Sequence, residues 1–231
     1  MKLAIFSHCA IDSITIDNNN YKQIGGSACY SGLTAQNHGF DVELHTKFDK
    51  YFPFELYFSK NMISFDGALS SSPTTKYKLE ISGPEKILWL EKKCEPIIHT
   101  DHNSDGTMVN PIFDEISSDT FEEIKNKANF LFLDPQGFLR RKHPDGRIFL
   151  KKTNLNLKGV TALKVSKGEM DCLTEFPGEK GMLDLQKKGV KEVIFTDGRN
   201  VSLLVKNNFI SLAMPMLKFY DSTGLGDIFS A

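Results

Sequence analysis

Apolar residues come in short runs separated by longer polar or mixed stretches. Runs at 3–6, 42–46, 130–133, 161–166, 192–196, 201–205 and 209–214 predict strands. Phe130-Leu131-Phe132-Leu133 is apolar at every position rather than at every second one. That pattern suits a strand covered on both faces, as in a parallel sheet. Helices are predicted over 118–129 and 179–188. Ser118, Asp119 or Thr120 can cap the first, with Glu122 and Glu123 where the helix dipole favours acid. Gly189 stops the second as a left-handed cap. Strand and helix in alternation predict an α/β domain with a mainly parallel sheet.

Two regions break that rhythm. Residues 11–24 place Ile14 and Ile16 before the polar tract Asp17-Asn18-Asn19-Asn20, which reads as strand, turn, strand. Residues 74–90 alternate strictly through Thr75, Tyr77, Leu79 and Ile81, turn at Ser82-Gly83-Pro84, and continue with Ile87, Leu88 and Trp89. Alternation marks strands with one face buried and one exposed. The two segments predict a small β lid beside the main sheet of a single domain spanning 1–231. An exposed face of such a lid is a surface through which two copies could pair as a homodimer. The Phe-rich stretch Tyr51 to Phe58 is expected to pack a helix on the sheet.

Composition narrows the functional classes. Lys plus Arg number 28 against 29 Asp plus Glu. That balance argues against a nucleic-acid-coating protein, which needs excess positive charge. With 40% hydrophobic residues the chain can bury a sizeable core. No apolar run reaches the roughly 18 residues of a membrane-spanning helix. The apolar start is broken at Ser7 and His8, so it is expected to be a first strand rather than a secretory signal, and the four scattered cysteines are not expected to form a disulfide framework. The expected location is the cytoplasm.

The densest chemistry lies in Asp221-Ser222-Thr223-Gly224-Leu225-Gly226-Asp227-Ile228-Phe229. Two glycines one residue apart let backbone N–H groups converge at the start of a helix, where they lack internal partners. An anion, most plausibly a phosphate, suits that position. Asp227 would sit in the first turn, where accepting a proton from an attacking hydroxyl would be its task. No P-loop occurs in the chain, and Phe229 takes the place of a dinucleotide motif's third glycine.

This nine-residue stretch resembles the C-terminal signature of the ribokinase-like (PfkB) carbohydrate kinases, Asp-Thr-x-Gly-Ala-Gly-Asp-x-Phe. The resemblance implies a ribokinase-like α/β fold and an ATP-dependent kinase acting on a hydroxyl of a small sugar or polyol. Asp227 would be the base, and the amides at Gly224, Leu225 and Gly226 an anion hole. Other segments are similar to the family in order along the chain. His8-Cys9-Ala10-Ile11-Asp12 implies acceptor binding by Asp12, and Gly25-Gly26-Ser27-Ala28-Cys29-Tyr30 implies the same for Gly25, Gly26 and Tyr30. Leu133-Asp134-Pro135-Gln136-Gly137 falls where members carry Asp-x-Asn-x-Arg. Ser166-Lys167-Gly168-Glu169 resembles Asn-x-x-Glu, with Ser166 toward the nucleotide and Glu169 ordering Mg²⁺ and its waters. Thr196-Asp197-Gly198 resembles the turn under the nucleotide phosphates, so Thr196, Gly198 and Thr223 are read as cofactor-binding.

The departures carry information too. Tyr30 replaces an Asn usual in sugar kinases, which points toward a polyol or an unusual sugar. A nucleoside kinase, with Tyr30 stacking on a base, is the alternative within the family. Asp197 is expected to face solvent or to pair with a cation such as Arg199. Family members continue into elements that complete an adenine pocket, so the sequence is expected to be a fragment or to carry an incomplete ATP site. In the second case a non-catalytic ligand-binding homologue is the further alternative. His99-Thr100-Asp101-His102 with Cys94 is a weak metal pattern, read as a polar loop. Arg140-Arg141-Lys142-His143 is read as a solvated basic loop before the turn Pro144-Asp145-Gly146.

Overall fold

The computed structural model describes residues 1–17, 19–58, 65–83, 85–98, 100–215 and 223–231, with Phe65 and Asp66 described by backbone alone. The first half contains β1 (Lys2–Phe6), β2 (Ala10–Ile16), β3 (Asn19–Gly25), α1 (Ser27–Asn37), β4 (Asp41–His45), a 3-10 turn (Phe54–Leu56) and α2 (Phe65–Ala68). Next come β5 (Thr75–Ser82), β6 (Glu85–Lys92), β7 (Gly106–Val109), α3 (Ser118–Lys127), β8 (Leu131–Leu133), α4 (Gln136–Leu139), β9 (Arg140–Lys142) and β10 (Ile148–Leu150). The last part holds β11 (Ala162–Ser166), α5 (Lys167–Leu173), α6 (Gly178–Lys187), β12 (Glu192–Asp197), β13 (Asn200–Val205), β14 (Asn208–Ala213) and α7 (Leu225–Ser230).

Eight strands form the main sheet in the order β14-β13-β12-β11-β8-β7-β1-β4. From β4 to β12 every pairing is parallel, and β13 and β14 add an antiparallel end. The sheet has a core on each face, so inner strands such as β8 are apolar throughout. Ala4 and Phe6 of β1 join Phe121, Ile124, Leu133 and Leu163 on one side. Ile5 joins Ala28, Cys29 and Leu44 on the other. Each buried Leu, Ile or Phe among them contributes about 1.5–3 kcal/mol.

The two alternating segments build a separate sheet, ordered β3-β2-β5-β6. β2 pairs antiparallel with β3 and parallel with β5, and β5 pairs antiparallel with β6. A joint ties this sheet to β1. Buried His8 meets Thr75 Oγ1 through Nδ1 at 3.1 Å and Glu95 O through Nε2 at 2.8 Å. A carbonyl can only accept, so Nε2 carries the proton and Nδ1 accepts from the threonine. Burial lowers the His8 pKa below its ordinary value near 6.5.

Three expectations need correction. The cap of α3 is Ser117, whose Oγ accepts from Thr120 N at 3.0 Å, rather than Ser118, Asp119 or Thr120. The stretch Tyr51 to Phe58 forms no α-helix. Pro53 interrupts it and a single 3-10 turn follows, yet Phe52 and Phe58 still plug the core beside Phe48. The basic cluster at 140–143 is not a loop: β9 pairs with β10 across the turn at 143–147.

Candidate active site

The main-sheet strands β1, β8 and β11 point their carboxyl ends at one place, where ligands bind in open α/β sheets. A cavity of about 220 Å³ opens there between the two sheets. Its lining includes Asp12 from β2, Tyr77 and Leu79 from β5, Gln136 from α4, Lys164 from β11 and Asp227 from α7.

Asp227 is half-buried at the floor. Ser27 Oγ, in the first turn of α1, donates to Asp227 Oδ1 in a short hydrogen bond. Gln136 Nε2 donates to the same oxygen at 3.0 Å and to Ser27 Oγ at 3.2 Å. Ser31 Oγ, one turn further along α1, donates to the Asp227 carbonyl at 3.0 Å. Burial and the neighbouring Asp134 carboxylate raise the Asp227 pKa above the ordinary carboxyl range, while Ser27, Lys164 and Arg140 pull it back.

The backbone here requires glycine at two points. Gly26 caps α1 with φ of +83°, and a Cβ there would stand 2.4 Å from the His8 carbonyl oxygen. Gly224 caps α7 in the left-handed region, and a Cβ there would lie 2.7 Å from the Tyr30 ring. Gly224 therefore lies close against the ring of Tyr30, whose hydroxyl accepts from Gln23 Nε2 at 2.9 Å. Asp12 is buried beside Gly25, where a Cβ would stand 2.0 Å from Asp12 Oδ2.

Two interactions missed in the sequence organise the rest. Glu115 is fully buried and accepts from the amides of His8, Ile112 and Phe113 at 3.1, 2.7 and 2.6 Å. This fixes the loop after β7, so that the Ile112 carbonyl accepts from Arg140 Nη1 at 2.9 Å and from the Tyr77 hydroxyl at 3.1 Å. Arg140, read as part of a solvated loop, thus lines the cavity. The second interaction is the ion pair of Lys164 Nζ with Asp134 Oδ2 at 2.5 Å, with Asp134 fully buried. Removing one partner of such a pair costs about 3–5 kcal/mol. Its signal was present: a lysine interrupts the apolar run of a strand covered on both faces.

The residues expected on the donor side are spread out. Thr223 lines the cavity and accepts from Lys86 Nζ of β6 at 3.3 Å. Ser166 and Thr196 are register partners at the ends of β11 and β12, and Gly198 turns the chain after β12. Glu169 caps α5, accepting from Ser166 N at 2.7 Å, and burial with Asp134 raises its pKa. Asp197 approaches Lys167 Nζ at 3.9 Å rather than Arg199, whose Nε donates to Met214 O. Asp221 and Ser222 lie outside the described residues, as does His99. His102 bonds Thr100 O and Thr107 Oγ1, and no group of three metal-ligating side chains occurs among the described residues. Among those residues, no helix is long and apolar enough to cross a membrane.

No family model and no curated protein matches the sequence. Solved structures do match. A pyrophosphate-dependent kinase in the ribokinase family, in a sulfate complex, superposes with a TM-score of 0.86 at 19% identity, over 97% of this chain and 83% of that one. A pyrophosphate-dependent kinase of that family complexed with a pyrophosphate analog and myo-inositol gives 0.82 at 20%, over 97% and 83%. Ribokinase from Arabidopsis thaliana, complexed with ribose and ATP, gives 0.75 at 15%, over 99% and 83%. The fold is ribokinase-like: a mostly parallel sheet flanked by helices, as the signature at 221–229 implied.

Proposed function

We propose that a chain with this ribokinase-like fold is a kinase that transfers a terminal phosphoryl group to a hydroxyl of a small sugar or polyol. The observation that carries this reading is Asp227, a carboxylate with a raised pKa, braced at the floor of the cavity by Ser27 and Gln136. A proton acceptor poised in that way suits an alcohol nucleophile. Asp12 and the Gly25-Gly26 backbone hold the acceptor, with Tyr30 behind them. The sheet β3-β2-β5-β6 serves as the lid.

As the acceptor oxygen attacks, its O–P bond forms, the donor's bridging P–O bond breaks, and the hydroxyl proton passes to Asp227. The amides at Gly224 to Gly226 face the charge on the moving group. Ser166, Thr196, Gly198 and Thr223 border the donor. Mg²⁺ would come in with the donor phosphates as part of the substrate. Glu169 orders water around it. Positioning and electrostatics supply most of the rate.

The cavity favours a single small ring. About 220 Å³ falls below the roughly 300–1,000 Å³ of pockets for drug-sized ligands, which supports a sugar or polyol over a nucleoside. ATP is the donor on this reading. A second reading, pyrophosphate, is favoured by the likeness to a pyrophosphate-dependent kinase at TM-score 0.86 against 0.75 for the ATP-bound ribokinase.

The test is turnover with Mg-ATP and with Mg-pyrophosphate against sugars, polyols and nucleosides, alongside Asp227→Asn. Turnover on one acceptor class is expected, lowered by about two decades or more in the variant with acceptor binding near normal. Loss of acceptor binding in the variant would move Asp227 to a structural role. Folded protein that turns over nothing with either donor would sink the kinase reading in favour of a ligand-binding protein.

A further inference from the structure

The Lys164–Asp134 pair has no part in the reaction set out above, yet it lies directly beneath it. Structure alone does not require an ammonium there, because well-packed apolar residues hold such positions as well or better. Three features of its surroundings point to a use. Lys164 lines the cavity together with Gly224, Gly226 and Asp227. A Cβ on Gly226 would stand 3.1 Å from Lys164 Nζ, which places the ammonium against the turn that opens α7. Among the described residues Asp134 is its one hydrogen-bond partner, so two of its three N–H donors are left for a ligand.

The charge is also secure. Burial opposes it, but Asp134, Glu169 and Asp227 all face the ammonium, and their combined field raises its pKa. Asp134 holds it in place with Oδ2 while Oδ1 accepts from Gln136 N at 3.2 Å. The same short segment thus aims both the lysine and the glutamine that braces Asp227.

We infer that Lys164 is a catalytic residue, whose ammonium binds an oxygen of the transferred phosphoryl group from beneath the Gly224–Gly226 turn. It supplies fixed positive charge at that oxygen, and Asp134 is its positioning residue. This assignment rests on the kinase reading. A preorganised cation of that kind acts on charge that is greatest during transfer.

Lys164→Gln alone would leave the Asp134 carboxylate buried and unpaired. The informative variant is Lys164→Gln with Asp134→Asn, which puts a neutral hydrogen-bonded pair in place of the ionic one. Binding of inorganic pyrophosphate, followed by titration calorimetry, is the readout independent of turnover. The wild type is expected to bind, and the double variant to weaken by about tenfold or more with its melting midpoint near wild type. In turnover, the double variant is expected to lose about 10²–10³ in kcat with the acceptor KM within about threefold. Unchanged pyrophosphate affinity in the folded double variant, or no binding by the wild type, would overturn the role of Lys164. The kinase reading is judged separately, by wild-type turnover on the acceptor panel: turnover that survives in the double variant leaves it standing without Lys164.

Discussion

A carboxylate that takes a proton from an alcohol works poorly if its own acidity is that of a solvated aspartate. Burial and Asp134 shift Asp227 the useful way, upward from an ordinary value of 3.8. The base must be ionised to act, so the rate falls as pH drops through its folded-state pKa. The acid limb of kcat/KM is therefore expected above the ordinary aspartate range, and a limb at or below that range would contradict the role given to Asp227. A second prediction concerns Gly25. Alanine there would push a methyl into Asp12, whose Oδ2 lies 2.0 Å from the ideal Cβ. Gly25→Ala is expected to raise the acceptor KM by about tenfold or more while kcat changes less; an unchanged KM would remove Asp12 from the acceptor site. Asp227 and its glycines were legible because one contiguous motif carries them. Ser27, Gln136, Lys164 and Arg140 were not, because each comes from a different element and acquires meaning only where the elements meet.

At the scale of elements, legibility followed burial. Strands such as β1 and β8, covered on both faces, announced themselves by unbroken apolar runs. β7 did not: Gly106-Thr107-Met108-Val109 is short and half polar, and its place between β1 and β8 is fixed by pairing partners on either side. β9 is written in Arg140, Arg141 and Lys142, and it is a strand because the hairpin brings β10 against it. The alternating segments gave away the second sheet because one of its faces is buried. Helix ends are set by single hydrogen bonds, which local composition marks only to within a residue. Ser117→Ala is expected to destabilise the protein by about 1 kcal/mol through the lost cap of α3, whereas Ser118→Ala changes little; equal effects in denaturant titrations would contradict that assignment.

For the molecule as a whole, the two sheets depend on a joint that must stay uncharged. His8 is neutral between β1 and the base of the second sheet, with its pKa below the unfolded value near 6.5. Its contribution to stability is fully present above that unfolded value. It is lost as pH falls toward the folded-state value, because the unfolded chain takes up the proton first. The melting midpoint is expected to fall from pH 7 to pH 5 less steeply in His8→Gln than in the wild type, and parallel slopes would rule His8 out as the cause.

The bond between Ser27 and Asp227 joins residues 200 positions apart. A ribosome delivers these groups in order, and the first waits for the second. Asp12, Gly26 and Tyr30, which the proposed function sets around an acceptor, have all been made once β3 and α1 emerge. Ser27, Ser31 and Gln136 then stand ready on finished elements for a partner not yet made. A nascent chain halted before residue 227 would have the strands of both sheets but not the carboxylate proposed to accept the proton. On the proposed function, reactivity in this molecule therefore arrives late in synthesis, after most of the fold that restrains it.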